Sequence, residues 1–224
     1  MEANIITLFR ICLVFVTVGL LQINTLYVQG LAVIFIILVL YLDALDGYVA
    51  RKLKVASDFG ALFDITGDRI VENIFWIYFA YTDLLSFWVP MIVITRGFLS
   101  DTVRAVAFKG GQTPFGEKTM MKSRLTRFLV ASRFSRGFYG MTKAVLFTYL
   151  GVFILLNTGI SKHEWLINPH IMVLLEIVKD VLVFMTVFMC IVRGLPVLWD
   201  GKEILLSKTY PRTVDIIDAK HRTV

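Results

Sequence analysis

The chain has 224 residues, 57% of them hydrophobic and only 18% charged, with a mean hydropathy of +0.74. So little polar surface excludes an ordinary soluble domain of this length. The formal net charge of +6 takes its meaning from where the basic residues fall. Six apolar windows, at 5–23, 29–45, 62–82, 86–108, 137–157 and 170–193, each approach the ~20 residues that cross a bilayer as a helix. The first is not a cleaved signal peptide, because Glu2 flanks it, Arg10 lies inside it and no small-residue cleavage site follows.

Basic residues collect in alternate gaps. Arg51, Lys52 and Lys54 follow the second window. Lys109, Lys118, Lys122, Arg124, Arg127, Arg133 and Arg136 follow the fourth, and Lys202, Lys208, Arg212, Lys220 and Arg222 lie in the tail. Among the other gaps, only Lys162 is basic. Positively charged loops stay in the cytoplasm, which places both termini there. Because the basic residues follow this alternation, their charge is an orientation signal and no nucleic-acid partner is expected. The segment "KTMMKSRLTRFLVASRF" sets Met121, Leu125, Phe128 and Leu129 on one helical face. Lys118, Lys122, Arg124 and Arg127 fall largely on the other, as in a helix lying in the cytoplasmic interface against anionic lipid. "FKGGQTPFG" before it lacks the Gly-Lys-Ser/Thr ending of a phosphate loop and reads as a connector. The expected fold is an all-α integral membrane protein with six transmembrane helices and a cytoplasmic interfacial amphipathic helix.

Cys12 and Cys190 sit in apolar segments and read as inert buried thiols, and His163, His170 and His221 show no metal-ligand spacing. In the sixth window Glu176 and Lys179, three residues apart, read as a mutual pair.

The chemistry gathers in "DALDGYVARKLKVASDFGALFDITGD", residues 43–68. On a helix, Asp43, Asp46, Gly47 and Ala50 share one face, and Asp64 and Asp68 share another. Two antiparallel helices meeting at the cytoplasmic interface would aim these four carboxylates into one cavity. Such a group cannot stay ionised there without counter-charge. Arg51 and Arg69 neutralise part of it, and hard divalent cations such as Mg²⁺ or Mn²⁺ suit carboxylate oxygens better. Gly47, Ala50 and Gly60 leave room for a ligand along the backbone.

The pattern D43-x₂-D46-G47-x₂-A50-R51-x₈-G60-x₃-D64-x₃-D68 resembles, at every fixed position, the signature of the CDP-alcohol phosphotransferases. The resemblance covers most of the chain, the interfacial segment and tail excepted. It implies a transmembrane domain over 1–200, a cytoplasmic tail over 201–224, two Mg²⁺ or Mn²⁺ ions and a homodimer. It makes Asp43, Asp46, Asp64 and Asp68 metal ligands, with Asp68 also the base that deprotonates an acceptor hydroxyl. Gly47, Ala50, Arg51 and Gly60, with Asn4 and Thr7 at the amino terminus, fall to the nucleotide donor, CDP-diacylglycerol in the membrane lipid, with pairing to Asp58 the alternative for Arg51. The cytoplasmic site would lie at the inner membrane if the cell is bacterial.

The start "N4-I-I-T7-L-F-R10", with "T95-R96-G97" and "G140-M141-T142-K143", resembles the phosphatidylglycerophosphate synthase branch. That branch implies glycerol 3-phosphate as acceptor, its phosphate held by Arg10, Arg96, Arg104 and Lys143. Charges within apolar segments are functional by default. The competing expectation for Arg104 and Lys143 is pairing, with Asp101 and a neighbouring acid respectively. Arg69 directly after Asp68 is closer to the inositol-phosphate branch, and serine is a further acceptor. A non-catalytic carrier or scaffold would not require the full set of acids.

Overall fold

In the computed structural model the described residues are 2–53, 58–109, 124–162 and 168–202. The side chains at 2, 3, 44–53, 58, 59, 61, 107–109, 124, 125, 127, 131 and 133 lie outside the description. Seven helices form among the described residues: α1 Glu2–Leu21, α2 Leu26–Leu53, α3 Asp58–Tyr81, α4 Trp88–Lys109, α5 Arg124–Ala131, α6 Arg133–Ser161 and α7 Pro169–Asp200.

Local chemistry sets several boundaries. Gln29 on α2 donates from Nε2 to the Leu21 carbonyl at 3.3 Å, occupying one of the acceptors left over at the end of α1. Helix α3 stops at a left-handed residue, Asp83, with φ 57°. There Leu84 N donates to Phe79 O at 3.1 Å and Asp83 N to Ala80 O at 3.2 Å, the paired bonds of a Schellman ending. Ser132 caps α6 by accepting from Ser135 N at 3.1 Å. Asn168 caps α7 by accepting from His170 N at 3.0 Å, with Pro169 in the first helical position.

Four helical segments are long and apolar enough to cross a membrane: Asn4–Leu21, Leu26–Asp43, Phe134–Ser161 and Pro169–Asp200. Their exposed positions are apolar too, among them Phe9, Phe15, Ile34, Ile37, Val181 and Phe184. Water does not tolerate such a surface on this scale, whereas lipid does. Helices α3 and α4, with 24 and 22 residues, are long enough at ~1.5 Å per residue. Asp64, Asp68, Arg69 and Glu72 in α3, and Arg96, Asp101, Arg104 and Lys109 in α4, keep them out of the apolar class.

The chain divides into two compact units. The first comprises Met1–Thr95 and Arg136–Cys190, and the second Arg96–Ser135 and Ile191–Val224. In the first, α1 packs on both α2 and α3. Its inward stripe is Thr7, Arg10, Leu13, Val14, Thr17 and Leu21, the three-and-four spacing of one helical face. The core continues into an aromatic cluster, with Phe147 of α6 lying 5.2 Å from Phe75 and 4.9 Å from Trp76, centroid to centroid. Gly151 of α6 faces α2 so closely that a Cβ there would lie 2.5 Å from Ile36 Cδ1. Cys190 is buried as expected, but Cys12 is exposed, because it falls on the face of α1 opposite that stripe.

In the second unit Val103, Val130 and Val197 are buried together. Arg193 donates to the carbonyls of Leu129 at 3.1 Å and Val130 at 3.3 Å and to Ser135 Oγ at 2.5 Å, serving the carboxyl end of α5. Thr126 bonds Asp200 at 2.9 Å. Phe128 of α5 is exposed while Leu129 is half-buried. The basic residues 118 and 122 and Met121 of the expected interfacial helix lie outside the described residues, as do the side chains of Arg124, Leu125 and Arg127.

Candidate active site

Three acids of the aspartate motif meet at the arginine of α1. Arg10 Nη1 donates to Asp43 Oδ1 of α2 at 2.5 Å, and Nη2 donates to Asp68 Oδ1 of α3. Asp64 Oδ1, one turn before Asp68, lies 4.0 Å from Nη2. Helices α2 and α3 therefore bring three carboxylates around one cation, Asp64 and Asp68 from one helical face. Arg10 is buried beneath them, with a side chain 1% exposed. The carboxylates are open, at 53% for Asp43, 41% for Asp64 and 46% for Asp68. Each acid thus has one side against the guanidinium and another facing outward.

Gly67 makes this approach possible. A Cβ at that position would lie 2.4 Å from Thr7 Cγ2, far inside the ~3.5–4.0 Å of ordinary carbon contact. Only a glycine lets α1 come close enough to α3 for Arg10 to reach Asp68. Thr7, expected on the donor, is buried at this crossing. Asn4 is half-buried in the first turns of α1 and Gly60 half-buried at the start of α3. Asp46, Gly47, Ala50 and Arg51 belong to α2, and their side chains lie outside the described residues.

One turn beyond Asp68, α3 carries a second polar centre. Glu72 is only 8% exposed. It accepts from Lys143 Nζ of α6 at 2.9 Å, from Arg69 Nη1 at 3.3 Å and from Trp76 Nε1 at 3.4 Å. Lys143 also stands over the Tyr139 ring, 4.6 Å from its centroid. Lys143 is therefore held by an acid, the pairing expected as the alternative to phosphate contact. Glu72 itself was not singled out in the sequence, although it stands four residues after Asp68 on the same helical face. Gly67 was missed as well, and the signal there was a lone glycine between two functional aspartates.

Arg96 and Arg104 belong to the second unit. Arg96 packs against Gly194, where a Cβ would come within 2.5 Å of its Nε, and Arg104 Nη1 lies 3.5 Å from Asp101 Oδ1. In α7, Lys179 pairs with Asp180 at 3.5 Å, not with Glu176, and stands 5.5 Å from the Phe153 ring centroid.

The donor set tests the expected metals. Asp43, Asp64 and Asp68 present oxygen only, from rigid helices, and already share one cation in Arg10. Oxygen donors of this kind suit a hard divalent ion, although among the described residues, which leave out the Asp46 side chain, no group of three acids is placed to hold one.

The model of the family described as CDP-alcohol phosphatidyltransferase matches residues 1–192. This chain belongs to that family. As a CDP-alcohol phosphatidyltransferase it is a transferase of phospholipid synthesis, and its apolar helices are those of a multi-pass membrane protein. Among its relatives is a Rickettsia typhi protein named CDP-diacylglycerol--glycerol-3-phosphate 3-phosphatidyltransferase. It is 24% identical over 164 residues, which cover 70% of this chain and 92% of the relative. Proteins of the same name from Bacillus subtilis and Mycoplasma genitalium are 31% identical over 70 residues and 34% over 67. These matches span 31% and 30% of this chain and 36% and 28% of the relatives.

Proposed function

We propose that this chain transfers the phosphatidyl group of CDP-diacylglycerol to glycerol 3-phosphate, giving phosphatidylglycerophosphate and CMP. The observation that carries the reading is the convergence of Asp43, Asp64 and Asp68 on one cation, in a family member whose relatives bear the glycerol-3-phosphate name. The acceptor hydroxyl oxygen bonds to the β-phosphorus of the donor while the bond from that phosphorus to the CMP oxygen breaks. Asp68 takes the hydroxyl proton. Asp43, Asp46, Asp64 and Asp68 would hold two Mg²⁺ or Mn²⁺ ions, which would supply Lewis-acid stabilisation of the attacking and leaving oxygens.

Asn4, Thr7, Gly47, Ala50, Arg51 and Gly60 hold the donor nucleotide. Arg96, Arg104 and Lys143 hold the acceptor phosphate through charge-assisted hydrogen bonds. For Lys143 this means exchanging Glu72 for the phosphate. The protein spans the membrane six times, with α3 and α4 as the two charged spans and α5 within an interfacial segment. Residues 1–200 make the transmembrane domain and 201–224 a cytoplasmic tail. Both termini and the site face the cytoplasm, at the inner membrane if the cell is bacterial, and the enzyme acts as a homodimer.

The test is CMP release from CDP-diacylglycerol in detergent or nanodiscs, with and without divalent ions, using glycerol 3-phosphate, inositol phosphate or serine. The reading expects metal-dependent release that is fastest with glycerol 3-phosphate. The Asp68–Arg69 sequence favours inositol phosphate as the second acceptor, and a preference for it would move the assignment. Preference for serine would remove the phosphate pocket altogether.

A further inference from the structure

Arg10 was expected on the acceptor phosphate, but its surroundings point elsewhere. It is among the largest fully buried side chains of the first unit. The two ends of its guanidinium go to acids on different helices: Nη1 to Asp43 on α2, and Nη2 to Asp68 on α3. Those acids are about half exposed, whereas Arg10 lies underneath them. A substrate phosphate approaching from the open side meets the carboxylates first.

We propose that Arg10 is a positioning residue of the acid site: from beneath, its guanidinium fixes one oxygen of Asp43 and one of Asp68, so that both carboxylates turn their open sides toward the divalent ions. The inference rests on the metal-dependent reading above. Free aspartates rotate about two torsions, and two of them carried on separate helices have no mutual register. A planar, permanently charged fork supplies that register, and an ammonium does not. Partners that orient metal ligands in this way typically change metal affinity by about 10–100-fold when they are lost. Arg10 also offsets part of the repulsion within the cluster, so the acids stay together when no ion is bound.

Arg10→Lys separates the geometry from the charge, because it keeps the positive charge and discards the fork. The measurement is Mn²⁺ binding to the full-length protein in nanodiscs without substrate, read from the electron paramagnetic resonance signal of free Mn²⁺. Arg10→Lys is expected to bind Mn²⁺ about 10–100-fold more weakly than wild type. Gly67→Ala leaves Arg10 chemically intact but forces α1 away from α3. It is expected to weaken Mn²⁺ binding in the same way, and it decides the question if Arg10→Lys does not fold.

Unchanged or tighter Mn²⁺ binding in the folded variant overturns the proposal. Tighter binding would make Arg10 a competitor of the ions. Unchanged binding with a raised acceptor KM would return Arg10 to the acceptor phosphate. Wild type that binds no Mn²⁺ overturns the metal-dependent reading along with this one. Wild type that binds Mn²⁺ beside unaffected variants overturns this inference alone.

Discussion

Adding one methyl group at Gly67 is the sharpest perturbation the structure offers. The new Cβ would lie 2.4 Å from Thr7 Cγ2 and 3.6 Å from Arg10 Nη2. Relief of the first contact needs a shift of roughly 1.1–1.6 Å, given ordinary carbon separations of ~3.5–4.0 Å. Thr7 is β-branched and stiff in a helix, so α1 itself has to move. Overpacking of this kind destabilises by ~1–3 kcal/mol, while alanine in place of glycine returns about 1 kcal/mol of helix propensity. The net loss of stability is therefore small, on the order of 0–2 kcal/mol. Catalysis is more sensitive, since a misplacement of ~1 Å can slow a reaction about 100-fold. Gly67→Ala should thus lower CMP release by one to two orders of magnitude while the melting temperature falls by at most about 8 °C. Thr7→Ser in the same chain removes the clashing methyl, keeps the hydroxyl and should restore most of the rate. A Gly67→Ala enzyme with wild-type turnover, or a double variant no faster than the single, would refute the argument that this glycine sets the α1–α3 distance.

Asp43→Asn and Asp64→Asn should each abolish CMP release, measured at saturating donor, and activity within a few-fold of wild type would contradict their assignment as ligands. Asp68→Asn should depress kcat far more than donor binding, because the base acts in the transition state; separate measurement of turnover and donor affinity checks this. Arg96→Ala and Lys143→Ala should raise the acceptor KM on the order of tenfold or more, the equivalent of a lost charge-assisted bond of ~1.5–3 kcal/mol, with CDP-diacylglycerol binding nearly intact. Glu72→Gln removes the buried partner of Lys143 and Arg69 and should destabilise by about 3 kcal/mol, which thermal unfolding in nanodiscs would detect.

Helix faces were readable in the sequence because their periods are fixed, and the aspartate spacing alone predicted that Asp64 and Asp68 would stand together. The register between helices was not readable. Arg10 is 33 residues from Asp43 and 58 from Asp68, and no local rule tells which turn of α1 meets α3. Gly67 determines that crossing, yet in sequence it is one glycine among 15. Glu72 was within reach of the rule that gathered the acids. The motif, however, ends at Asp68 and does not reach it. Lys179 went to the wrong acid because helical spacing favoured Glu176, while the adjacent Asp180 lies within reach. The windows over α3 and α4 were found by pattern, and their charges largely pair internally, as in Arg69–Glu72 and Arg104–Asp101, which composition does not register.

The burial of Arg10 also bears on how the protein is made. Helix α1 leaves the ribosome before α2 and α3, and its arginine lies within the apolar segment Asn4–Leu21. An arginine within a lone apolar helix in lipid is unfavourable by a few kcal/mol, so at that stage it stays at the bilayer surface, reaching for water. Its neutralising partners arrive only with Asp43 at the end of the segment Leu26–Asp43 and Asp68 on α3. The first helix therefore settles into its final depth after the third has been synthesised, and a chain truncated before Asp68 should leave α1 poorly anchored and exposed to membrane proteases.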